Sequence, residues 1–347
     1  MDNDGHSSII VDHEILRNGY IPGKLKARES QYEQIMCCLS PIGERRKPIH
    51  VWLHGKPGTG KTTTAIHALR QLEQRNVLKS IMINCWKRQT FYEILNEMIS
   101  EFRILRAEEH RTSFKLEKLR LFLKDSPIVI LLDEIDRMRP SDLSTALYNL
   151  DSMLNAGLIC ISGSIRPLTE LEERVASRLH PYPISFPAYS YRELLEILAH
   201  RAEGALIEGS YSRTALRQIA SIAGGDARAA IRMLHKAAVL ADHRRIDRIT
   251  TETLREQLRA DRETKITSTL SRLTKDHQIL YGIIKQKRRV LSGNLWEAYL
   301  QRCERIKRKP LSPRTFSEYC NRLAHTGLIT SERARVKGKV RLFKFCH

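Results

Sequence analysis

Four short apolar runs alternate with stretches whose apolar residues recur at helical spacing. Residues 49–53 (IHVWL) are rich in β-formers and are followed by a glycine-rich turn, then by the helical stripe Ala65, Ala68, Leu69 and Leu72. Residues 80–84 (SIMIN) form a second strand-like run. Beyond it Phe91, Ile94, Leu95, Met98, Ile99, Phe102 and Leu105 recur at i, i+3, i+4, i+7 and i+8, the stripe of an amphipathic helix. Residues 128–132 (IVILL) are continuous enough for a strand buried on both faces, and 158–162 (LICIS) are the fourth run. Strands separated by helices predict a parallel sheet in a three-layer α/β domain over residues 1–189.

From about Ser190 the strand signals stop. Residues 191–203 read as a helix with Leu194, Leu195, Ile197 and Leu198 facing inward, and 212–223 and 226–243 read as two more, split by Gly224-Gly225. They predict a small helical domain over 190–261. A polar, charged stretch at 244–264 leads into the last segment, 262–347. There Leu270, Leu273, Ile279, Leu280, Ile283 and Ile284 supply the first helices, and 295–300 (LWEAYL) opens the next. Ser312 is placed to cap a further helix with Pro313 in its first turn, running through Tyr319, Leu323 and Ala324 to a stop at Gly327. Ile329-Thr330-Ser331 and Val340-Arg341-Leu342-Phe343 then flank Arg333, Arg335, Lys337, Gly338 and Lys339, the pattern of a β-hairpin with a basic tip. Helices followed by such a hairpin predict a winged helix.

Charge sharpens that reading. The 347 residues hold 59 Lys and Arg against 39 Asp and Glu, a net charge of +20. Residues 262–347 hold 21 of those bases and only 6 of the acids, so one quarter of the chain carries +15. A charge that served solubility alone would be spread, whereas a concentrated one is the footprint of a polyanion, here double-stranded DNA. Arg314, Thr315 and Ser317 lead the predicted recognition helix and are expected at base edges. Arg333, Arg335, Lys337 and Lys339 are expected along phosphates or in the minor groove. Lys285, Lys287, Arg288 and Arg289, with Arg305, Lys307, Arg308 and Lys309, are candidates for additional backbone contacts.

Composition excludes several classes. Apolar residues are 41% and charged residues 28%, which rules out a wholly disordered chain. No apolar run approaches the roughly 18 residues of a membrane span, so no membrane partner is expected. The N-terminus lacks a basic segment followed by an apolar one, and a cytoplasmic, nucleoid-associated chain is expected. Seven cysteines, Cys37 and Cys38 adjacent and the others scattered, with no C-x-x-C spacing, fit free thiols in a reducing compartment rather than a zinc site.

The chemistry begins at Gly55, Lys56, Pro57, Gly58, Thr59, Gly60, Lys61 and Thr62, which fit G-x-x-x-x-G-K-[ST] between a strand and a helix. Backbone N–H groups of such a loop wrap phosphates because glycine tolerates the required dihedrals. Lys61 would reach the β- and γ-phosphates of ATP, and the Thr62 hydroxyl would ligate Mg²⁺. The apolar run at 128–132 ends in Asp133 and Glu134; Asp133 would hold the metal through water and Glu134 would polarise an attacking water. Arg228, at the start of a helix in the helical domain, is placed to fold over the γ-phosphate. Arg174 and Arg178 are candidates for an arginine finger toward a neighbouring subunit, or for salt bridges to the glutamates beside them.

Together these segments resemble the AAA+ replication initiators of the origin-recognition/Cdc type, in their compact archaeal form. The resemblance rests on Gly19-Tyr20-Ile21-Pro22 with Arg28-Glu29, GKPGTGKT, Ile83-Asn84-Cys85 and LLDEID. It continues through RVASRL with Phe186-Pro187-Ala188-Tyr189, GGDARAAIRMLHKAA and the C-terminal winged-helix pattern. It implies an AAA+ domain with a helical lid that binds ATP or ADP, with Thr63, Tyr189 and Arg201 also at the nucleotide. It further implies recognition of origin-type duplex sites, recruitment of the MCM helicase and association with other initiator subunits. One position departs. After the fourth strand the family usually carries an asparagine that positions the hydrolytic water, and here Gly163 or Ser164 stands in its place. Nucleotide binding with slow or absent turnover is therefore expected. Two other classes fit part of the pattern: a transposition-type helper ATPase with rapid turnover, and a DNA-binding regulator that uses the fold as a scaffold.

Overall fold

The computed structural model describes residues 8–44, 46–75, 78–104, 111–123, 126–154, 156–334 and 340–345. The chain divides into two compact units, the first ending at Leu254 and the second beginning at Arg255. In the first unit α1 (Glu29–Leu39), β1 (Val51–His54), α2 (Lys61–Arg75), β2 (Lys79–Asn84), α3 (Phe91–Glu101), α4 (Thr112–Leu123) and β3 (Ile128–Asp133) come first. They are followed by α5 (Pro140–Leu154), β4 (Gly157–Ser162), α6 (Arg166–Thr169), α7 (Glu173–Leu179) and β5 (Tyr182–Ser185). The five strands are parallel in the order β2-β3-β4-β1-β5. That order sets β4 between β1 and β3, so the segments following those three strands emerge side by side.

Alternation along the strands builds a core on each face of the sheet. Val51, Leu53, Val129, Leu131, Ile159 and Ile161 pack with Ala65, Ala68, Leu69 and Leu72 of α2. Trp52, Ile81, Ile83, Ile130, Leu132 and Cys160 pack on the other face with α3 and α5. α3 begins where the pattern predicts, because Thr90 and Glu93 form a reciprocal capping box. Leu105, the last residue of its predicted stripe, lies outside the described residues. The fifth strand carries no apolar run. In Tyr-Pro-Ile-Ser only Ile184 is buried, and Pro183 is tolerated because the strand lies at the sheet edge.

The lid is built from α8 (Tyr191–Ala205), α9 (Arg213–Ala223) and α10 (Ala227–His243). Ser190, Ser212 and Asp226 cap their N-termini, and Gly224 and Gly225 take φ of 56° and 92° to turn the chain between the last two. The polar stretch at 244–264 is largely helical: α11 (Thr251–Ser271) runs through it and across the boundary between the units.

The second unit continues with α12 (Lys275–Lys287), β6 (Arg289–Leu291), α13 (Ser292–Arg305), α14 (Pro313–His325), β7 (Ile329–Arg333) and β8 (Arg341–Phe345). An antiparallel sheet, β6-β8-β7, closes over a core of Leu280, Ile284, Leu295, Tyr299, Phe316 and Phe343. This is a winged helix. Ser312 caps α14 through the Thr315 N–H at 3.2 Å, and Gly327 turns with φ of 71° just past the helix end.

Candidate nucleotide site and nucleic-acid interface

The loop after β1 closes on itself around a lysine. Lys61 opens α2 and is only 9% exposed; its Nζ donates to the Gly55 carbonyl at 2.5 Å and the Lys56 carbonyl at 2.9 Å. Burial lowers the lysine's pKa, against the attraction of Asp133. Two glycines are required by both conformation and space. At Gly58, φ is 76° and a Cβ would fall 1.9 Å from Asp226 Oδ1; at Gly60, φ is 91° and a Cβ would fall 2.2 Å from the Tyr189 hydroxyl. The lid reaches this loop directly, because the Ala227 N–H at the start of α10 donates to the Gly58 carbonyl at 3.0 Å.

The acids meet the loop from β3. Thr62 Oγ1 donates to Asp133 Oδ2 at 3.0 Å, and the other Asp133 oxygen accepts the Glu134 N–H at 2.9 Å. Burial raises the Asp133 pKa, while those two bonds and Lys61 oppose it. Glu134 turns at φ 57°, which directs the chain sharply away from the strand end. Glu134 lines the same cleft as Lys61 and Asp133, as do Thr63, Tyr189, Arg201 and Arg228. Arg228, the second residue of α10, is exposed, and its charge adds to the lowering of the Lys61 pKa.

The two finger candidates differ. Arg178 on α7 donates to Asp151 Oδ2 at 2.8 Å. Asp151 is fully buried and also takes Lys47 Nζ at 2.7 Å and His50 Nε2 at 3.1 Å. Burial alone would raise its pKa, but the bonds from His50, Lys47 and Arg178 hold it well below the usual carboxylate range. Arg174 has a side chain 76% exposed and lies 3.4 Å from Glu172. Neither arginine is among the residues that line the cleft of this chain.

In the winged helix, Arg314 has a side chain 92% exposed, 3.4 Å from Glu318 one turn on. Ser317 is exposed and donates to the Pro313 carbonyl, whereas Thr315 is half-buried with its hydroxyl 2.9 Å from that of Ser312. Arg333 is exposed at the end of β7; Arg335, Lys337 and Lys339 lie outside the described residues. Of the basic cluster at 305–309, Arg308 is already engaged. Its guanidinium forks onto Asp276, and Tyr299 donates to the same carboxylate.

Comparison with known proteins finds three family matches along the chain. Residues 45–174 match the AAA domain family, 195–257 the Cdc6 AAA+ ATPase-type lid domain, and 276–347 the Cdc6 C-terminal winged helix domain. These matches follow one another in the order of an origin-recognition/Cdc6 AAA+ protein, which the chain resembles over most of its length. ORC1-type DNA replication protein 1 of Methanothermobacter thermautotrophicus is 28% identical, with 96% of this chain and 93% of that protein covered. The protein of the same name from Sulfurisphaera tokodaii is 29% identical, with 94% and 86% covered. The structure of Aeropyrum pernix Orc1 in complex with DNA superposes with a TM-score of 0.70 at 25% identity, over 98% of this chain and 94% of that one.

The departure from the origin-recognition/Cdc6 pattern after β4 has a definite geometry. Ser162 is buried and its hydroxyl is committed: it accepts from Trp52 Nε1 at 3.0 Å and donates to the Ser164 carbonyl at 2.5 Å. Gly163, not Ser164, lines the cleft. A Cβ there would meet only Asp136 Oδ2, at 3.4 Å.

The structure also brings in a residue to which the sequence assigned no role. Arg28 is 3% exposed, donates to the Thr59 carbonyl at 2.9 Å and to the Pro187 carbonyl at 2.6 Å, and stacks 3.7 Å over the Tyr189 ring. The only local signal was its place in Arg28-Glu29 after Gly-Tyr-Ile-Pro. Its partners lie 31 and 159 residues away.

Proposed function

We propose that this chain is an ATP-controlled initiator of DNA replication that grips origin-type duplex DNA with its winged helix. The observation that carries the reading is the bond from Ala227 to Gly58, which sets the first turn of a lid helix on the phosphate-binding loop. Whatever occupies that loop must act on the lid as well. DNA as partner is supported by the basic C-terminal quarter, by the exposed Arg314 on a capped helix, and by the likeness to an Orc1 solved with DNA.

The residues fit a nucleoside triphosphate. The buried Lys61 ammonium is satisfied by loop carbonyls and is placed to exchange them for phosphate oxygens. The N-terminus of α2 faces the loop, and its first-turn N–H groups favour anions, while the first turn of α10 is held there by the Ala227 N–H on Gly58. The Thr62 hydroxyl and the Asp133 carboxylate are hard oxygen donors of the kind Mg²⁺ takes. Among the described residues no cluster of three or more His, Cys, Asp or Glu is built to hold a metal, so the two would share the ion with phosphate oxygens and water. Bound there, the ion would neutralise phosphate charge.

In this reading Arg228 draws the lid down on the terminal phosphate, and Glu134 orients water. With glycine where the family's asparagine stands, that water is poorly held and the ATP state is long-lived. The nucleotide then acts as a switch more than as a fuel. Arg174 is the residue offered to a neighbouring initiator subunit. Helicase recruitment and a nucleoid location complete the proposal.

The test is footprinting and genome-wide mapping of bound DNA, with wild type and Lys61→Ala, with and without ATP. The reading expects a discrete site beside an origin and weaker protection in the variant. Scattered binding, unchanged by ATP or by the loss of Lys61, overturns it.

A further inference from the structure

The first described stretch of chain, residues 8–28, joins the lid to the phosphate-binding loop. It starts on α10, where the Ser8 hydroxyl and the Ile9 N–H donate to the two Asp242 carboxylate oxygens at 2.6 and 2.7 Å. It then runs along the end of α8: Val11 N–H donates to the Ala205 carbonyl, Ile207 N–H donates to the Ile9 carbonyl, and Ile9, Ile10 and Leu16 are buried. It ends at Arg28, fastened to Thr59 of the loop. Between these anchors Arg17, Tyr20, Pro22 and Leu25 line the cleft.

Midway, one guanidinium holds this strap. Arg201 on α8 is 7% exposed. Its Nη1 donates to the Ile15 carbonyl at 2.7 Å, its Nη2 donates to the Tyr20 carbonyl at 3.1 Å, and it sits 4.6 Å over the Tyr20 ring. A planar fork suits two carbonyls at once, which an ammonium group does not match. The cleft has a mixed lining. Lys61, Thr62, Asp133 and Arg228 line it, and Tyr20, Pro22 and Leu25 of the strap with Ile197 and Ile231 of the lid add ring and apolar surface beside the strap's basic side chains. A wall carrying ring and apolar surface beside a phosphate cradle suits the flat face of a nucleobase.

We propose that Arg201 is a positioning residue of the nucleotide site: by clamping the strap to the lid it fixes the wall on which the base rests. It acts through Ile15 and Tyr20. This inference rests on the nucleotide reading above and deepens it. It also gives lid movement a second route to the nucleotide, through the base as well as through the phosphates.

The distinguishing measurement compares a ligand that has a base with one that has none. Full-length wild type and Arg201→Met are titrated calorimetrically with MgATP and with inorganic tripolyphosphate. The expected result is ATP binding about tenfold weaker in the variant, with tripolyphosphate unchanged to within about twofold. Arg201→Lys should recover only part of the loss, because one ammonium cannot serve both carbonyls in the same plane. Asp242→Ala releases the start of the strap without touching Arg201 and should give the same selective loss at smaller size. Equal weakening of both ligands in both variants overturns the inference, as does no weakening of either. A wild-type chain that binds tripolyphosphate but not ATP overturns it as well. If wild type binds neither ligand, the nucleotide reading itself falls and the inference falls with it.

Discussion

Arg308 and Asp276 meet as a two-pronged pair inside the winged helix, with Nε 3.0 Å from Oδ1 and Nη2 2.8 Å from Oδ2. The Tyr299 hydroxyl donates to the same carboxylate at 2.8 Å and accepts the Leu311 N–H at 3.3 Å. One buried acid thus fixes the turn that leads into α14. Replacing it with alanine leaves the buried Tyr299 hydroxyl without its acceptor. Asp276→Ala should destabilise the second unit by about 1–3 kcal/mol, read as an earlier urea transition. An unchanged transition would show that the pair is idle.

That pair also gives a pH dependence with a definite sign. The hydrogen bond from Arg308 is the main cause that holds the Asp276 carboxyl below its ordinary value, with burial opposing it. A depressed carboxylate stabilises the fold above its unfolded pKa, about 4, and loses that contribution as pH falls through the folded value. The melting temperature of wild type should therefore fall more steeply than that of Asp276→Asn below about pH 4. Parallel curves in that range would remove Asp276 from the acid response.

Lys61→Ala should weaken ATP binding by about 10–100-fold, the range of a lost charge-assisted hydrogen bond, without unfolding the chain. Fluorescence titration with a labelled nucleotide reads the affinity, and thermal melting reads the fold. Undiminished binding would place the triphosphate elsewhere.

Gly163→Asn tests the departure after β4. The position has no left-handed φ, and an added Cβ meets only Asp136 Oδ2 at 3.4 Å, an ordinary contact. Single-turnover hydrolysis should rise by about 10-fold or more if the missing amide is what limits water positioning. Equal rates for wild type and variant would locate the limit in another step.

Arg314→Ala and Arg333→Ala should separate reading from gripping. The first removes an exposed side chain from the leading turn of α14 and should weaken the specific site by about 1–3 kcal/mol more than random DNA. The second should weaken both alike and reduce the salt slope by about one charge. Gel-shift titrations at several salt concentrations decide it, and identical behaviour of the two variants would deny Arg314 a base contact.

The parts of this molecule legible in its sequence are those whose signal is local. The loop at 55–62, the acids after β3, the cap Ser312 and the turn at Gly224-Gly225 all act within a few residues of themselves. What escaped depends on distant partners. β5 has one inward residue, Ile184, and is a strand only because β1 lies beside it. β6 is three residues long and is held by β8 from far along the chain. α11 is largely polar and offers no clear stripe to read. Arg28 is marked only by its motif and Arg201 only by the resemblance, and nothing local to either one signals that their guanidinium groups find backbone carbonyls as far as 159 and 186 residues away.

The buried carboxylate of Asp151 gathers Lys47 and His50 from the segment before β1 and Arg178 from α7, and Arg178 shares that helix with the outward-facing Arg174. That short helix is bolted to the sheet's foundation rather than hinged from it. A second molecule arriving at Arg174 would meet a stiff mount with its bearing already set, and would surrender little freedom in docking there.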